Sequence, residues 1–330
     1  MARDDHAIVV GITTYPAYDA LSDLRGPEND VGNFVDWLTR GDGGDVRATK
    51  IKTVLSSQHQ PLDQRPWYQD VEELIDQHLT KARSQGGRAG RRLYLFFAGH
   101  GIAPDINTPL LLAANARSDR LGSHMPGLAY ADFLKMWGIF EEVVLFMDCC
   151  QTHMPLVTPR VLEWGNPKDD PDPGKSFYGF ATSVGDVARE MEMDNGKVQG
   201  VFTTALVEGL RQGKVSGAKL SDYIFSRMSN LLPPDKYHPP KFPNDSPDDI
   251  HFGSGGGGIR ATVSIHFDPP EADVDVTLLD GTLQTLNTRR GADRPWQLEL
   301  APGLYKVVID GSGRNQLIEV IGTSKVVINV

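Results

Sequence analysis

Five short runs along the chain are mainly apolar on consecutive positions: Ala7–Ile12, Ile51–Leu55, Leu93–Phe97, Val143–Met147 and Phe177–Thr182. A strand covered on both faces has no polar side to show to water, so such runs read as buried parallel strands. Between them apolar positions recur with helical spacing. Glu28–Leu38 places Val31, Phe34, Val35 and Leu38 on one side, and Trp67–Ala82 does the same with Val71, Leu74, Ile75 and Leu79. Tyr130–Phe140, Val201–Arg211 and Leu220–Leu231 extend the series. Strands alternating with helices predict an α/β domain: a doubly wound, mostly parallel sheet with helices on both faces and right-handed crossovers.

Two stretches interrupt this rhythm. His153–Ser176 carries prolines at 155, 159, 167, 171 and 173 and shows no period. A loop of that length within a compact domain points to function or disorder. Pro233–Pro247 is also proline-rich, and the run 253–258 (Gly-Ser-Gly-Gly-Gly-Gly) reads as a flexible linker. Beyond it the pattern becomes that of short alternating strands, at Ala261–Phe267, Val274–Leu279, Trp296–Leu300, Tyr305–Asp310, Gln316–Val320 and Lys325–Val330. Asp280-Gly281, Pro302-Gly303 and Asp310-Gly311 supply turn signals between them. The expected organisation is a catalytic-type domain over 1–252, the linker 253–258, and a small all-β sandwich over 259–330. The sandwich is read as an interaction module, with Trp296 and Tyr305 as core residues.

Composition narrows the function classes. The 330 residues are 40% hydrophobic and 23% charged, which is ordinary for a globular protein. A formal charge of −10 provides no basic field to release counterions from nucleic acid, and the basic cluster at Arg88–Arg92 reads as a solvated loop. Ala7–Ile12 is too short for the apolar core of a signal peptide, and no run reaches membrane-spanning length. Cys149 and Cys150 are the only cysteines, and adjacent cysteines bridge each other only under strain. These features favour a reducing cytoplasm and no membrane partner.

The candidate chemistry sits at two strand ends. The Leu93 run leads to His100 between Gly99 and Gly101, and the Val143 run leads to Asp148, Cys149 and Cys150. In an open α/β sheet, ligands collect outside the carboxyl ends of the strands. If the two strands are neighbours, an imidazole and a thiol face each other there. That pair suffices for acyl transfer: the imidazole takes the thiol proton and later protonates the leaving amine. The amides of Gly101 and Cys150 would serve as an oxyanion hole. Zinc is disfavoured, since no C-x-x-C occurs and the remaining histidines lack ligand spacing.

Phe97-Ala-Gly-His-Gly101 and Asp148-Cys-Cys-Gln-Thr152 resemble the two active-site motifs of the caspase and metacaspase peptidases, in the same order and about 50 residues apart. Val10–Tyr15, Leu24–Asp30 and Gly200–Leu210 are similar to further motifs of the bacterial caspase-like branch, so that the likeness covers roughly residues 5–230. The resemblance implies a cysteine endopeptidase with His100 as base and Cys150 as nucleophile. Cys149 then fills a slot usually held by a small residue. Ala98 and Gln151-Thr152 depart from the metacaspase pattern without touching the dyad.

By the same resemblance Asp30 and Asp148 fall on the P1 pocket positions of metacaspases. Two carboxylates would hold a guanidinium through charge-assisted hydrogen bonds, which implies protein or peptide substrates with Arg at P1 and Lys second. Carboxylates beside Cys150 would also disfavour its thiolate while the pocket is empty. Arg25 lies one residue out of register with an arginine that animal caspases use to read aspartate. The loop 153–176 falls where caspases keep a maturation linker, which makes Arg160, Lys168 and Lys175 candidate processing sites for a zymogen served by an activating protease or regulatory protein. No cofactor is implied, although calcium activation is a known property of metacaspases. The competing readings are a catalytically idle scaffold signalling through the sandwich and a thiol redox sensor.

Overall fold

The computed structural model describes residues 4–60, 64–106, 108–165, 172–193, 196–213, 215–253, 261–280, 285–300, 303–311, 313–320 and 326–329. The chain divides into two units, residues 1–210 with 215–252, and residues 253–330 with 211–214. Most of the glycine run 253–258 lies outside the described residues.

In the first unit each apolar run becomes a strand of one sheet. These are β1 (Asp5–Gly11), β2 (Ile51–Leu55), β3 (Gly90–Gly99), β4 (Phe140–Cys149) and β5 (Lys175–Phe180). Their order is β2-β1-β3-β4-β5, and every pairing is parallel. The helices are α1 (Pro27–Thr39), α2 (Tyr68–Gln85), α3 (Gly127–Met136), α4 (Val201–Leu210) and α5 (Gly217–Leu231).

The strand pleat sends alternate side chains to opposite faces. Leu93, Leu95 and Phe97 of β3 pack with Val71, Ile75 and Leu79 of α2 and Tyr130 and Leu134 of α3. Tyr94, Phe96 and Ala98 pack with Phe34 and Trp37 of α1, Phe202 and Leu206 of α4, and Leu220 of α5. Trp37 donates its indole N–H to the Leu210 carbonyl at 3.2 Å, tying α1 to α4 across their shared face. Strand order reverses between β1 and β3, and the crevice at their carboxyl ends is where this topology leaves room for a ligand.

Element ends follow local chemistry. Pro27 opens α1, where its missing N–H costs nothing, and Asp30 lies in the first turn. Asp70 accepts a hydrogen bond from the Trp67 N–H at 2.7 Å, and Gly86 closes α2 in the left-handed conformation. The third helix differs from the expected Tyr130–Phe140. It starts directly after Pro126 and ends before Gly138, whose φ of 60° turns the chain so that Phe140 already belongs to β4.

A second, four-stranded sheet joins the short strands His124–Met125, Leu110–Leu112, Gly101–Ala103 and Thr152–His153. Strands this short carry no readable period, and none was expected from the sequence. Among the described residues, no helix is long and apolar enough to cross a membrane.

The second unit has a three-stranded sheet of Trp296–Leu300, Ala261–His266 and Val326–Asn329. A four-stranded antiparallel sheet joins Thr285–Arg290, Asp275–Asp280, Gly303–Ile309 and Asn315–Val320. Val263 and Ile265 from the first share one core with Val276, Leu278, Val307 and Ile318 from the second. Trp296 and Tyr305 are buried in that core. Thr285–Arg290 escaped the sequence pattern because almost every residue in it is exposed.

Candidate active site

The two candidate strand ends are direct neighbours. The β3–β4 register pairs Gly99 with Cys149, and beyond the strand ends Ile102 pairs with Thr152. Both pairs are separated by 50 residues, so His100 and Cys150 stand at the same level on adjacent chains. His100 and Cys150 therefore sit between the pairings of the central sheet and those of the small sheet.

Close approach demands the two glycines around His100. A Cβ on Gly101 would lie 2.7 Å from the Cys149 Sγ and would also strike the Cys150 carbonyl. Gly99 has φ +154°, and a Cβ there would lie 2.6 Å from the Tyr15 hydroxyl. Gly101 opens its strand straight after His100, and Cys150 follows the last residue of β4, so both candidate oxyanion-hole amides stand at the same edge.

The pleat separates the double cysteine. Cys149 shares the face of Leu145 and Met147 and is buried in the α2/α3 core, where burial first, then Cys150 and Asp148, push its thiol well above the usual range. Asp148, one residue earlier, points to the α1/α4 face and accepts hydrogen bonds from the Thr203 N–H at 3.0 Å and the Thr203 hydroxyl at 2.6 Å. Cys150, just past the strand, is half-buried, and its thiol donates to the Ala188 carbonyl at 3.8 Å. Burial raises the Cys150 thiol, and Asp148 adds to that rise; the Ala188 contact and Arg189 oppose it. Gln151 anchors the chain after Cys150. It is buried, donates its side-chain amide to the Thr182 carbonyl at 2.5 Å, and exchanges backbone hydrogen bonds with Gly185 and Asp186.

His100 Nε2 lies 2.9 Å from the Ser22 carbonyl. A carbonyl only accepts, so this contact assigns the ring proton to Nε2 and leaves Nδ1 as the acceptor.

Beside the dyad lies a cavity of about 300 Å³. Leu24, Pro27 and Asp30 reach it from beyond β1, Gly99 and His100 from β3, Asp148 and Cys150 from β4, and Val187–Glu190 with Gly200 from beyond β5. Asp30 is 2% exposed and accepts from the Gly200 N–H at 3.0 Å. Gly200 has no side chain because two carboxylates occupy the space: a Cβ would strike Asp148 Oδ2 and lie 3.0 Å from Asp30 Oδ2. Glu190 brings a third carboxylate, held on the N-terminus of α1 through the Gly26 N–H at 2.7 Å. The charges perturb one another. Burial and then Asp148 raise the Asp30 carboxyl well above the ordinary carboxylate range, and burial above all pushes Asp148 up to about 6.

The sequence pointed to Asp30 and Asp148 but missed Glu190, the Ser22 carbonyl and the Tyr15 hydroxyl. Glu190 starts the hairpin of Glu190–Glu192 and Val198–Gly200, whose one announcement in the sequence is the Asn195-Gly196 turn signal. Arg25 points away: its exposed guanidinium lies 3.9 Å from Glu192, outside the cavity lining.

The candidate processing residues have different surroundings. Arg160 is seated with its guanidinium 3.4 Å over the Tyr68 ring and 3.7 Å from Glu72, and its N–H donates to His124 Nε2 at 3.0 Å. Lys175 begins β5 with its side chain exposed, 3.8 Å from Asp249. Lys168 lies outside the described residues.

The family model described as "Caspase domain" matches residues 4–238. No curated protein matches. Among solved structures, caspase-1 from Spodoptera frugiperda aligns with a TM-score of 0.48 at 15% identity, covering 74% of this chain and 87% of that one. The structure of pro-sf-caspase-1 aligns with a TM-score of 0.47 at 14% identity, covering 73% and 91%.

Proposed function

Since this chain belongs to the caspase-domain family, we propose that it is a cysteine endopeptidase that cuts polypeptides after arginine, with lysine second. The observation that carries the specificity is the convergence of Asp30, Asp148 and Glu190 on one cavity beside Cys150, where they outnumber Arg189 and from which Arg25 is turned out. A guanidinium entering that cavity replaces carboxylate repulsion with bidentate, charge-assisted hydrogen bonds. A P1 aspartate would bring a further carboxylate into this crowd.

In this reading His100 Nδ1 takes the Cys150 proton and the thiolate attacks the scissile carbonyl. The amides of Gly101 and Cys150 stabilise the oxyanion, and the imidazolium then delivers its proton to the leaving amine. Water hydrolyses the thioester by the same route. These steps need no metal.

The resting state supports a latent enzyme. The Cys150 thiol is raised by its surroundings and engaged with Ala188 rather than with the imidazole. We therefore read the chain as zymogen-like, cytoplasmic, and switched on by a protease or regulatory protein, with cleavage in loop 153–176 as one route. By family likeness such an effector belongs to bacterial defence or programmed cell death. The same engaged thiol favours one alternative, an idle caspase-like scaffold acting through its β-sandwich.

Peptides carrying Arg, Lys, Asp or Ala at P1, offered to wild type and Cys150→Ala before and after limited trypsin treatment, separate these readings. Cleavage after Arg that disappears in Cys150→Ala, with Lys about tenfold slower and Asp uncut, is expected. Preference for Asp, or cleavage surviving in Cys150→Ala, sinks the proposal. Silence before and after trypsin sinks activation by cleavage and favours the scaffold. Intact-mass measurement of the same incubations reads out cuts within 153–176.

A further inference from the structure

The contacts on the His100 imidazole come from one loop, Thr13–Leu24, which the sequence motifs mark only at its edges, while the His100 carbonyl is held separately by the Leu112 N–H at 2.9 Å. Its far end supplies the Ser22 carbonyl to Nε2. Its near end supplies Tyr15, which is 3% exposed and accepts the backbone N–H of His100 on its hydroxyl at 2.7 Å. The Tyr15 ring also packs against the imidazole, with centroids 4.9 Å apart and planes at 57°.

The backbone N–H of His100 falls in the gap between β3 and the strand Gly101–Ala103. A buried donor at such a break needs a partner, and the phenol is the partner provided. The space for that hydroxyl exists because residue 99 is glycine. The loop is a closed unit: Tyr18 N–H bonds to the Tyr15 carbonyl, Leu21 N–H to the Tyr18 carbonyl and Leu24 N–H to the Thr13 carbonyl, each at 2.9 Å. Thr13 N–H is anchored on the Ser56 hydroxyl at 3.1 Å, beyond β2. The two contacts on His100 therefore move together.

We propose that Tyr15 is a positioning residue for the general base: its hydroxyl holds the His100 backbone at the height from which the imidazole, kept on the Ser22 carbonyl, reaches the Cys150 thiol once that thiol leaves Ala188. Tyr15 touches neither substrate nor the reacting atoms. Its effect passes through His100, and it works by the geometric sensitivity of proton transfer, where a shift of about 1 Å costs on the order of a hundredfold in rate. The inference rests on the peptidase reading for its kinetic consequence, and on geometry alone for its effect on the thiol.

Tyr15→Phe keeps the ring and removes the hydroxyl. With a P1-Arg fluorogenic peptide, kcat should fall about 10- to 100-fold, while KM and the Arg-to-Lys preference stay within about twofold of wild type. Iodoacetamide alkylation of Cys150 at neutral pH, followed by intact mass, gives a readout free of substrate. Tyr15→Phe and His100→Ala should both slow it relative to wild type, because a misplaced or missing imidazole no longer takes the thiol proton. Unchanged kcat and alkylation in Tyr15→Phe overturns the proposal. So does a loss that appears equally in kcat, KM and melting temperature, which marks a merely structural side chain. Wild type that alkylates in a His100-dependent and Tyr15-dependent way, yet cuts no peptide, sinks the peptidase reading and leaves the positioning role standing. Alkylation indifferent to His100 sinks both.

Discussion

At the amino ends of β1, β3 and β4, opposite charges alternate; at the carboxyl ends of the same strands, like charges are crowded together. Near the amino ends Arg91 bridges Asp5 and Glu142, while fully buried Arg92 bonds Glu142 at 2.5 Å, the Tyr94 hydroxyl at 2.8 Å and the His251 carbonyl at 2.8 Å. Toward the carboxyl ends Asp30, Asp148 and Glu190 share one cavity with a raised thiol beside them. A buried charge is tolerated when it is paired and hydrogen-bonded. The first arrangement meets that condition internally. The second sets three carboxylates against the single guanidinium of Arg189 in the described lining, an excess of negative charge that a cationic ligand can balance, which is the physical mark of a binding site.

The contrast is breakable. Its largest consequence is at the amino end. Arg92→Leu strands Glu142 and the Tyr94 hydroxyl partly unpaired, and urea unfolding should show a loss of about 3–5 kcal/mol. Peptidase activity per folded molecule should be untouched, and a fall in kcat/KM with stability intact would erase the distinction between the two ends.

At the carboxyl end the expected signs reverse. Asp148→Asn keeps an oxygen to accept from Thr203 but removes one of the crowded charges. We expect kcat/KM on P1-Arg peptides to fall about a hundredfold, while the melting temperature at pH 7.5 is unchanged or higher. A lowered melting temperature would mean that the carboxylates stabilise the empty fold.

The smallest effect is the pH dependence, and it too has opposite signs. Asp148 has a folded-state value of about 6, above its unfolded value, so its protonated form favours folding. That contribution is fully present below about pH 4 and is lost as pH rises through 6. At the other end His6 and His78 are lowered to about 4 and about 3, by burial first and then by neighbouring positive charge. Their contribution is present above about pH 6.5 and is lost as pH falls toward 4 and 3. Melting curves of the unliganded protein across pH 4–8 should flatten on the alkaline side in Asp148→Asn. KM for P1-Arg peptides should fall by up to about tenfold per unit between pH 5 and 6, as the bound guanidinium displaces a proton. A KM flat across that interval would dissociate Asp148 from the pocket.

Much of this comparison was legible in the sequence, and the illegible parts have a common cause. The five core strands were found from apolar runs because burial on both faces writes itself into consecutive positions. His100 and Cys150 could be matched because a motif marks each strand end. The short strands of the small sheet and the exposed Thr285–Arg290 were missed since neither length nor burial gives them a period. Glu190 lies 160 residues from Asp30 in the chain, and nothing in its local pattern separates it from the Glu192 that faces solvent and Arg25.

The sequence alone determined the layered α/β architecture, the change to a β-rich tail and the choice of His100 and Cys150 as the candidate dyad, all of which follow from local periodicity and short motifs. Tertiary structure decided the rest. The pleat turned Cys149 into the core and Asp148 into the cavity. Loop closure brought the Ser22 carbonyl and the Tyr15 hydroxyl onto His100, and a hairpin carried Glu190 to the N-terminus of α1. Backbone acceptors, side-chain facing and long-range electrostatics depend on where distant segments meet, and a linear pattern contains no record of that meeting.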